Sequence, residues 1–494
     1  MTPVLPIVIP MIAGALSLVF WRSRRSQRLL AVLGTAAMAV SAVALLAQVQ
    51  VEGVVTVAAG GWPAPYGIVL AADLLGAVLV LMTGITGFAV ALYSLPTVGR
   101  GLENAGYYPL MHLLLAGVAG AFLTGDIFNL YVWFEVLLLA SFALLAMGGE
   151  RAQMAGAIKY VVLNLVSSAL FLTAIGLLYG LAGTLNMADL AVKLAAVDAP
   201  DRVTVIATLF MVAFGIKAAA FPLFFWLPAS YHTAPVAVSA LFAGLLTKVG
   251  VYALYRSLTL LFTQDPAFTF GIMQGVAAAT LIVGVCGAIV QTELRRVLAF
   301  AHIGQIGYLF LGLALYTQTS LTGGVFYLVH HILVMSNLFF IAGIVYGLTG
   351  SHRIDRIGGL WKSHPALGLA FFVSALSLAG IPPFSGFWAK FILIKAAVLS
   401  EAWGLVAAAI VAGVLTLYAV MRLWNEVFWK AAPDTQRGRM PAIPPIMGVV
   451  VLALTLGTVG IGLVAQPLWA LADAAALQLL DSDGYISAVM EGAP

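Results

Sequence analysis

GIKAAAFPLFFWLPASYHTAP, residues 215–235, starts as an apolar helix and is then interrupted by Pro222, Pro228 and Pro235. A second stretch behaves the same way: LAGIPPFSGFWAKF, residues 378–391, carries Gly380, Pro382, Pro383 and Gly386. Proline removes a backbone donor and clashes with the preceding turn, so neither stretch continues as a regular helix. In lipid the freed carbonyls need partners in protein or water, and such breaks therefore line polar interiors. Each break has a lysine beside it, Lys217 five residues before Pro222 and Lys390 seven after Pro383. Interrupted helices at matching places in two related halves point to a transport site.

The rest of the chain places these breaks in a membrane. Of 494 residues, 63% are hydrophobic and only 9% charged, whereas soluble domains carry about 25% charged residues. Stretches near the ~20 apolar residues that cross a bilayer recur along almost the whole length. About fourteen spans are expected, at 4–20, 27–48, 68–95, 107–124, 126–148, 155–182, 203–225, 234–258, 268–290, 295–315, 320–349, 365–398, 404–429 and 444–465. The breaks then fall in spans seven and twelve, which suggests an internal repeat with halves at 107–258 and 268–429. An N-terminal three-helix segment, 1–106, precedes them, and a last span with its tail, 430–494, follows. The opening MTPVLPIVIPMIAGALSLVF has no basic residue before its apolar stretch, so it reads as a retained first helix and not a cleaved signal.

Loop charges give an orientation. With the N-terminus outside, the cytoplasmic loops hold Arg22, Arg24, Arg25, Arg28, Arg100, Arg151, Arg295, Arg296, Arg353, Arg356, Lys362, Lys430, Arg437 and Arg439. The opposite loops hold only Lys193 and Arg202. That asymmetry is the positive-inside pattern. The tail after 465 is acidic, with Asp473, Asp481, Asp483 and Glu491, which suits an outer C-terminus.

The single cysteine, Cys286, excludes an intrachain disulfide and a cysteine-ligated zinc or iron–sulfur site. There is no phosphate-binding loop and no haem-attachment motif. No cofactor and no metal are expected, and any work against a gradient draws on another ion or a partner subunit.

Ionisable side chains inside the spans carry the functional argument. Glu135 lies in DIFNLYVWFEVLLLASFALLAM, where a carboxylate costs about 2.5–3.5 kcal/mol on insertion scales and should face the protein interior. It reads as a proton acceptor or a modulator of a neighbouring lysine; the competing reading is a structural ion pair. Lys217 is its natural partner, because burial favours the neutral amine and a nearby carboxylate the charged one. Lys248, in LLTKVGVYALYR, and Lys390 extend the line of titratable sites, unless each only bonds a carbonyl. His330 and His331 point about 100° apart on a helix, which is poor geometry for a shared metal. His330 suits a relay between Lys248 and Lys390, since imidazole both donates and accepts; the bland reading is a core hydrogen bond. Tyr231 and His232 are expected at a water-accessible mouth beside the first break. His112 and His302 read as packing residues. Asp73 and Asp126 favour helix N-termini, while Arg256, Arg422 and Lys395 lie near helix ends, where long side chains snorkel.

At these residues the chain resembles the antiporter-like membrane subunits shared by Mrp multi-subunit sodium/proton antiporters and respiratory complex I. The resemblance rests on WFEVLLLASFALLA around Glu135, on residues 215–256 carrying Lys217 and Lys248, and on GIPPFSGFWAKF carrying Lys390. It covers nearly the whole chain, and GGWPAPYGIVLAADLLGAVLV, residues 60–80, is similar to the Mrp branch. The chain ends 29 residues after the last expected span, too short for the lateral helix of the largest complex I homologue. The resemblance implies an all-α membrane protein of fourteen helices, with two inverted five-helix repeats and helices seven and twelve broken. It implies Glu135 and Lys217 as a coupling pair, Lys248 as central relay, His330 as bridge and Lys390 as terminal proton site. Its implied partners are further membrane subunits of a hetero-oligomeric complex, protons and sodium. Three functions compete: a proton-conducting antiporter subunit, a proton-pumping subunit of a redox-driven complex, and a scaffold whose buried charges only hold helices together.

Overall fold

The computed structural model describes residues 2–433 and 441–491, so Arg437 and Arg439 lie outside the described residues. Among the described residues, eleven helices are long and apolar enough to cross a membrane. The three other expected spans take different forms. The fourth is the 17-residue apolar helix Tyr107–Leu123. The seventh is Pro200–Ala218, followed by the short turn of helix Trp226–Ser230. The twelfth is split into Pro365–Ala379 and Ser385–Leu399.

Burial orders these helices. Gln318–Thr349, Val236–Leu260 and Leu294–Ala314 are buried on almost every side, whereas Arg151–Ala182, Pro266–Val290 and Trp403–Trp424 bury one face only. In lipid, helices associate through close packing, because the solvent is as apolar as their side chains. Glycine permits the closest approach. A Cβ built at Gly284 would lie 2.6 Å from the Cα of Gly304 on the next helix.

Two features depart from the expected spans. The span expected at 68–95 begins as a strand: Val69–Ala72 pairs antiparallel with Val55–Ala58, and the helix Leu74–Thr97 starts only after Asp73. Asp73 caps it, accepting a hydrogen bond from Gly76 N at 2.8 Å. Asp126 does the same for Ile127–Ala146 through Asn129 N at 2.7 Å. Arg256 does not snorkel. It is buried, ion-paired with Asp73 and stacked on Tyr485 at 4.8 Å, because the tail folds back as Gln466–Leu480 and Ser482–Glu491. A guanidinium so placed holds the tail, the hairpin end and Val236–Leu260 together.

Local geometries recur along the chain, at a spacing of 167 residues before the breaks and 161 at them (219 to 380). Ile127 N donates to Leu185 O and Met187 N to Gly125 O; 167 positions on (127 to 294, 185 to 352), Leu294 N donates to His352 O and Ile354 N to Thr292 O. The following long helices, Arg151–Ala182 and Gln318–Thr349, have 32 residues each and end on left-handed Gly183 and Gly350, both at φ 68. At the breaks, Ala219 and Gly380 both adopt positive φ, 60 and 92. Ala220 N then donates to Gly215 O, and Ile381 N to Leu376 O.

Candidate functional site: a buried row of amines and imidazoles

Each break frees carbonyls, and the structure shows what takes them. At the first, Trp226 Nε1 donates to Ile216 O at 2.8 Å. At the second, Lys390 Nζ donates to Ala379 O at 3.0 Å. Lys390 is thus part of the break, folded back over its end.

The lysines expected to titrate are all buried. Lys217 is 4% exposed, Lys248 0% and Lys390 5%. None of the three is ion-paired with a carboxylate among the described residues. Lys217 Nζ donates to Ser168 Oγ at 3.2 Å and lies 4.8 Å from the Phe134 ring centre. Lys248 donates to the carbonyl of Ala243 in its own helix. Lys390 lies 4.4 Å from the ring centre of Tyr308. A buried amine needs a hydrogen-bond acceptor whether charged or neutral, and a carbonyl or hydroxyl oxygen can accept from either form. A fixed salt bridge would serve only the charged form.

Glu135 is half-buried, and its Oε1 has no hydrogen-bond partner among the described residues. Phe134, its chain neighbour, lies under Lys217, so the expected coupling pair occupies one neighbourhood without direct contact.

From His302, which Thr247 beside Lys248 contacts, a series of neighbouring rings runs to Lys390. Thr247 Oγ1 lies 3.1 Å from His302 Nε2. His302 stacks on His331 at 4.8 Å between centres, and His331 lies 5.9 Å from Tyr327. Tyr327 meets His330 at 5.3 Å and Tyr308 at 5.3 Å, and Lys390 sits on Tyr308. Adjacent in sequence, His330 and His331 turn to different partners: His330 Nδ1 to Ser385 Oγ at 2.8 Å, His331 to His302. Both nitrogens of His331 and Nε2 of His330 have no hydrogen-bond partner among the described residues.

His302, a packing residue by its sequence context, stands within this row. A signal for it exists: His302, Gln305 and Tyr308 recur at three-residue spacing through an otherwise apolar helix. His302 also stands 167 positions after Glu135, the spacing at which the loop hydrogen bonds recur. Tyr231 is not at a mouth: it is fully buried, with its ring 6.1 Å from His302. The reason is that Trp226–Ser230 turns the chain inward before Val236–Leu260 begins. His232 is partly exposed, with Nδ1 on Pro228 O at 2.6 Å and Nε2 3.9 Å from Glu293. Nearby, a cavity of about 600 Å³ opens between Tyr93, Glu150, Thr233, Arg295, His352 and Met447. Outside the spans, burial holds the His352 imidazole well below its usual range, at about 3, and Arg295 adds to the effect. His352 is therefore neutral at the rim near pH 7.

Comparison with known proteins follows the same lines. Residues 124–416 match the model of a family described as NADH:quinone oxidoreductase/Mrp antiporter, transmembrane. The D-type subunit of the Na(+)/H(+) antiporter of Alkalihalophilus pseudofirmus is 41% identical over 488 residues, covering 99% of each chain. A chain in the structure of the Mrp complex from Dietzia sp. superposes with a TM-score of 0.91 at 33% identity, covering 99% of each. A chain of the membrane-bound sulfane sulfur reductase, an archaeal respiratory membrane complex, gives a TM-score of 0.93 at 29% identity, again covering 99% of each. By motif, length and fold, this chain is a multi-pass membrane protein that belongs to the NADH:quinone oxidoreductase/Mrp antiporter transmembrane family.

Proposed function

We propose that the chain is the D-type, proton-translocating subunit of a multi-subunit sodium (monovalent cation)/proton antiporter in a bacterial cell membrane. Protons pass along Glu135, Lys217, Lys248, His330 and Lys390, with His331 and His302 completing the bridge and His232 at the approach to the first break. One observation carries this reading: three buried lysines are held by hydroxyl or carbonyl oxygens, not by carboxylates, and a series of rings runs from His302, which Thr247 beside Lys248 contacts, to Tyr308 under Lys390. Such amines can lose and regain a proton without breaking an ion pair, which a scaffold has no use for. The repeated hydrogen-bond pattern at 167-residue spacing supports two inverted five-helix units, 107–258 and 268–429. The cluster of basic loops supports an orientation with both termini outside and the 600 Å³ cavity on the cytoplasmic side.

Other membrane subunits complete the site. Glu135 is only half-buried, on a helix that exposes Phe128, Val132 and Leu139. A carboxylate at the edge of an exposed apolar stripe is costly in lipid, so a neighbouring subunit covers that face.

A redox-driven complex is the second reading, favoured by the TM-score of 0.93 to a respiratory membrane subunit. Purification separates the two. The chain is expected to co-isolate with small antiporter-type membrane subunits, in a complex that exchanges sodium for protons. Co-isolation with flavin or iron–sulfur subunits, and no exchange, would reverse the choice.

A further inference from the structure

His330 is fixed by a feature that the lysine row does not explain. Its Nδ1 lies 2.8 Å from Ser385 Oγ. Ser385 in turn contacts Ser377 Oγ at 3.1 Å and Thr458 Oγ1, while Ser377 contacts Thr458 at 2.9 Å. The three hydroxyls form a closed triangle, and all four side chains are buried to within 1%. Ser377 belongs to the last turn of Pro365–Ala379 and Ser385 is the first residue of Ser385–Leu399, so the triangle spans the break of helix twelve. Thr458 comes from Pro445–Leu463, and Gly386 N also donates to Ser377, at 3.4 Å.

Counting protons gives this arrangement two states. Each hydroxyl has one proton to donate. If all three edges of the triangle are made, all three protons are used, and Ser385 can only accept from His330. The imidazole then carries its proton on Nδ1 and presents a bare Nε2. If Ser385 instead donates to Nδ1, one edge opens and the imidazole proton sits on Nε2. The states differ by one neutral hydrogen bond, so the closed triangle favours the proton on Nδ1 and opening it releases the Nε2 form.

We propose that Ser385, with Ser377 and Thr458, is the positioning device that selects which nitrogen of His330 bears the proton. The geometry of the helix-twelve break thereby governs passage between the histidine row and Lys390. This rests on the relay reading above. In the closed state the bare Nε2 can take up a proton and give it back while Nδ1–H stays on Ser385; in the open state Nε2 already bears the proton, and the hydroxyls only reorient, neither gaining nor losing one. A rigid-body shift of either half-helix opens or closes the triangle and so switches the imidazole.

The test uses the intact complex with Ser385→Ala, Ser385→Thr and Thr458→Val. Nitrogen-15 spectra of labelled histidine report the tautomer, and vesicle flux per assembled complex reports passage. Ser385→Ala is expected to shift the His330 tautomer signal and lower flux about tenfold, the order expected for one such hydrogen bond. Ser385→Thr restores both. Thr458→Val, which leaves the His330 contact in place but prevents closure, shifts the tautomer toward the Nε2 proton. If Ser385→Ala fails to assemble, Thr458→Val alone decides the outcome. An unchanged tautomer signal, or a shifted signal with undiminished flux while Lys390→Ala is inactive, overturns the proposal. Full flux in both Ser385→Ala and Lys390→Ala overturns the relay itself.

Discussion

Replacing Lys217 with alanine is expected to abolish cation/proton exchange, by about 100-fold or more, the lower range for loss of a positioned proton-transfer group. The complex should still assemble. Lys217 reaches Ser168 through a single hydroxyl contact, and its ammonium rests on the Phe134 ring. No carboxylate among the described residues is hydrogen-bonded to it, so its removal strands no buried ion-pair partner, the situation that makes such deletions so destabilising. What disappears is the buried amine that stands beside the Glu135 neighbourhood at the first break. Sodium and proton flux in vesicles, normalised to purified complex, reads the loss. A variant that assembles and still exchanges at the full rate returns Lys217 to the scaffold.

Lys390 gives the second large effect, and two substitutions separate charge from proton release. Lys390→Ala removes the amine that caps Ala379 O, and with it the last proton site of the row. Lys390→Arg keeps a cation able to reach the same carbonyl, but guanidinium does not give up its proton in a protein. Both variants are expected to lose transport, the alanine form about 100-fold, while the arginine form assembles normally. Packing makes the site demanding. Gly380 sits at φ 92, where other side chains are strained, and a Cβ there would lie 2.7 Å from Lys390 Cδ. A fully active arginine form would mean that this position acts by its field alone.

The breaks and their lysines are readable because proline and charge are both expensive in lipid, and each leaves a mark in sequence whatever surrounds it. Asp73 and Asp126 are readable as helix starts for a similar reason, since a cap acts only three residues away. Contacts between distant helices leave no such mark. Nothing in the sequence near Arg256 indicates that Asp73 lies beside it, because that pair depends on a hairpin and a folded-back tail. The hydroxyls that hold Lys217 and His330, Ser168 and Ser385, are ordinary serines in sequence and become specific only through packing. Tyr231 and His302 exchange roles for the same reason. The proline-rich context of the first suggests a solvent-facing ring, which packing buries; the apolar context of the second suggests a filler, and it stands in the row.

Glu135→Ala tests most directly whether carboxyl and amino groups sunk in this bundle trade protons with water. Its Oε1 has no hydrogen-bond partner within the described chain, so the substitution breaks no internal contact at that atom. Sodium and proton flux should be followed together in vesicles holding the intact complex. Loss of both fluxes in a normally assembled complex is the expected result; undiminished exchange of both ions would contradict it.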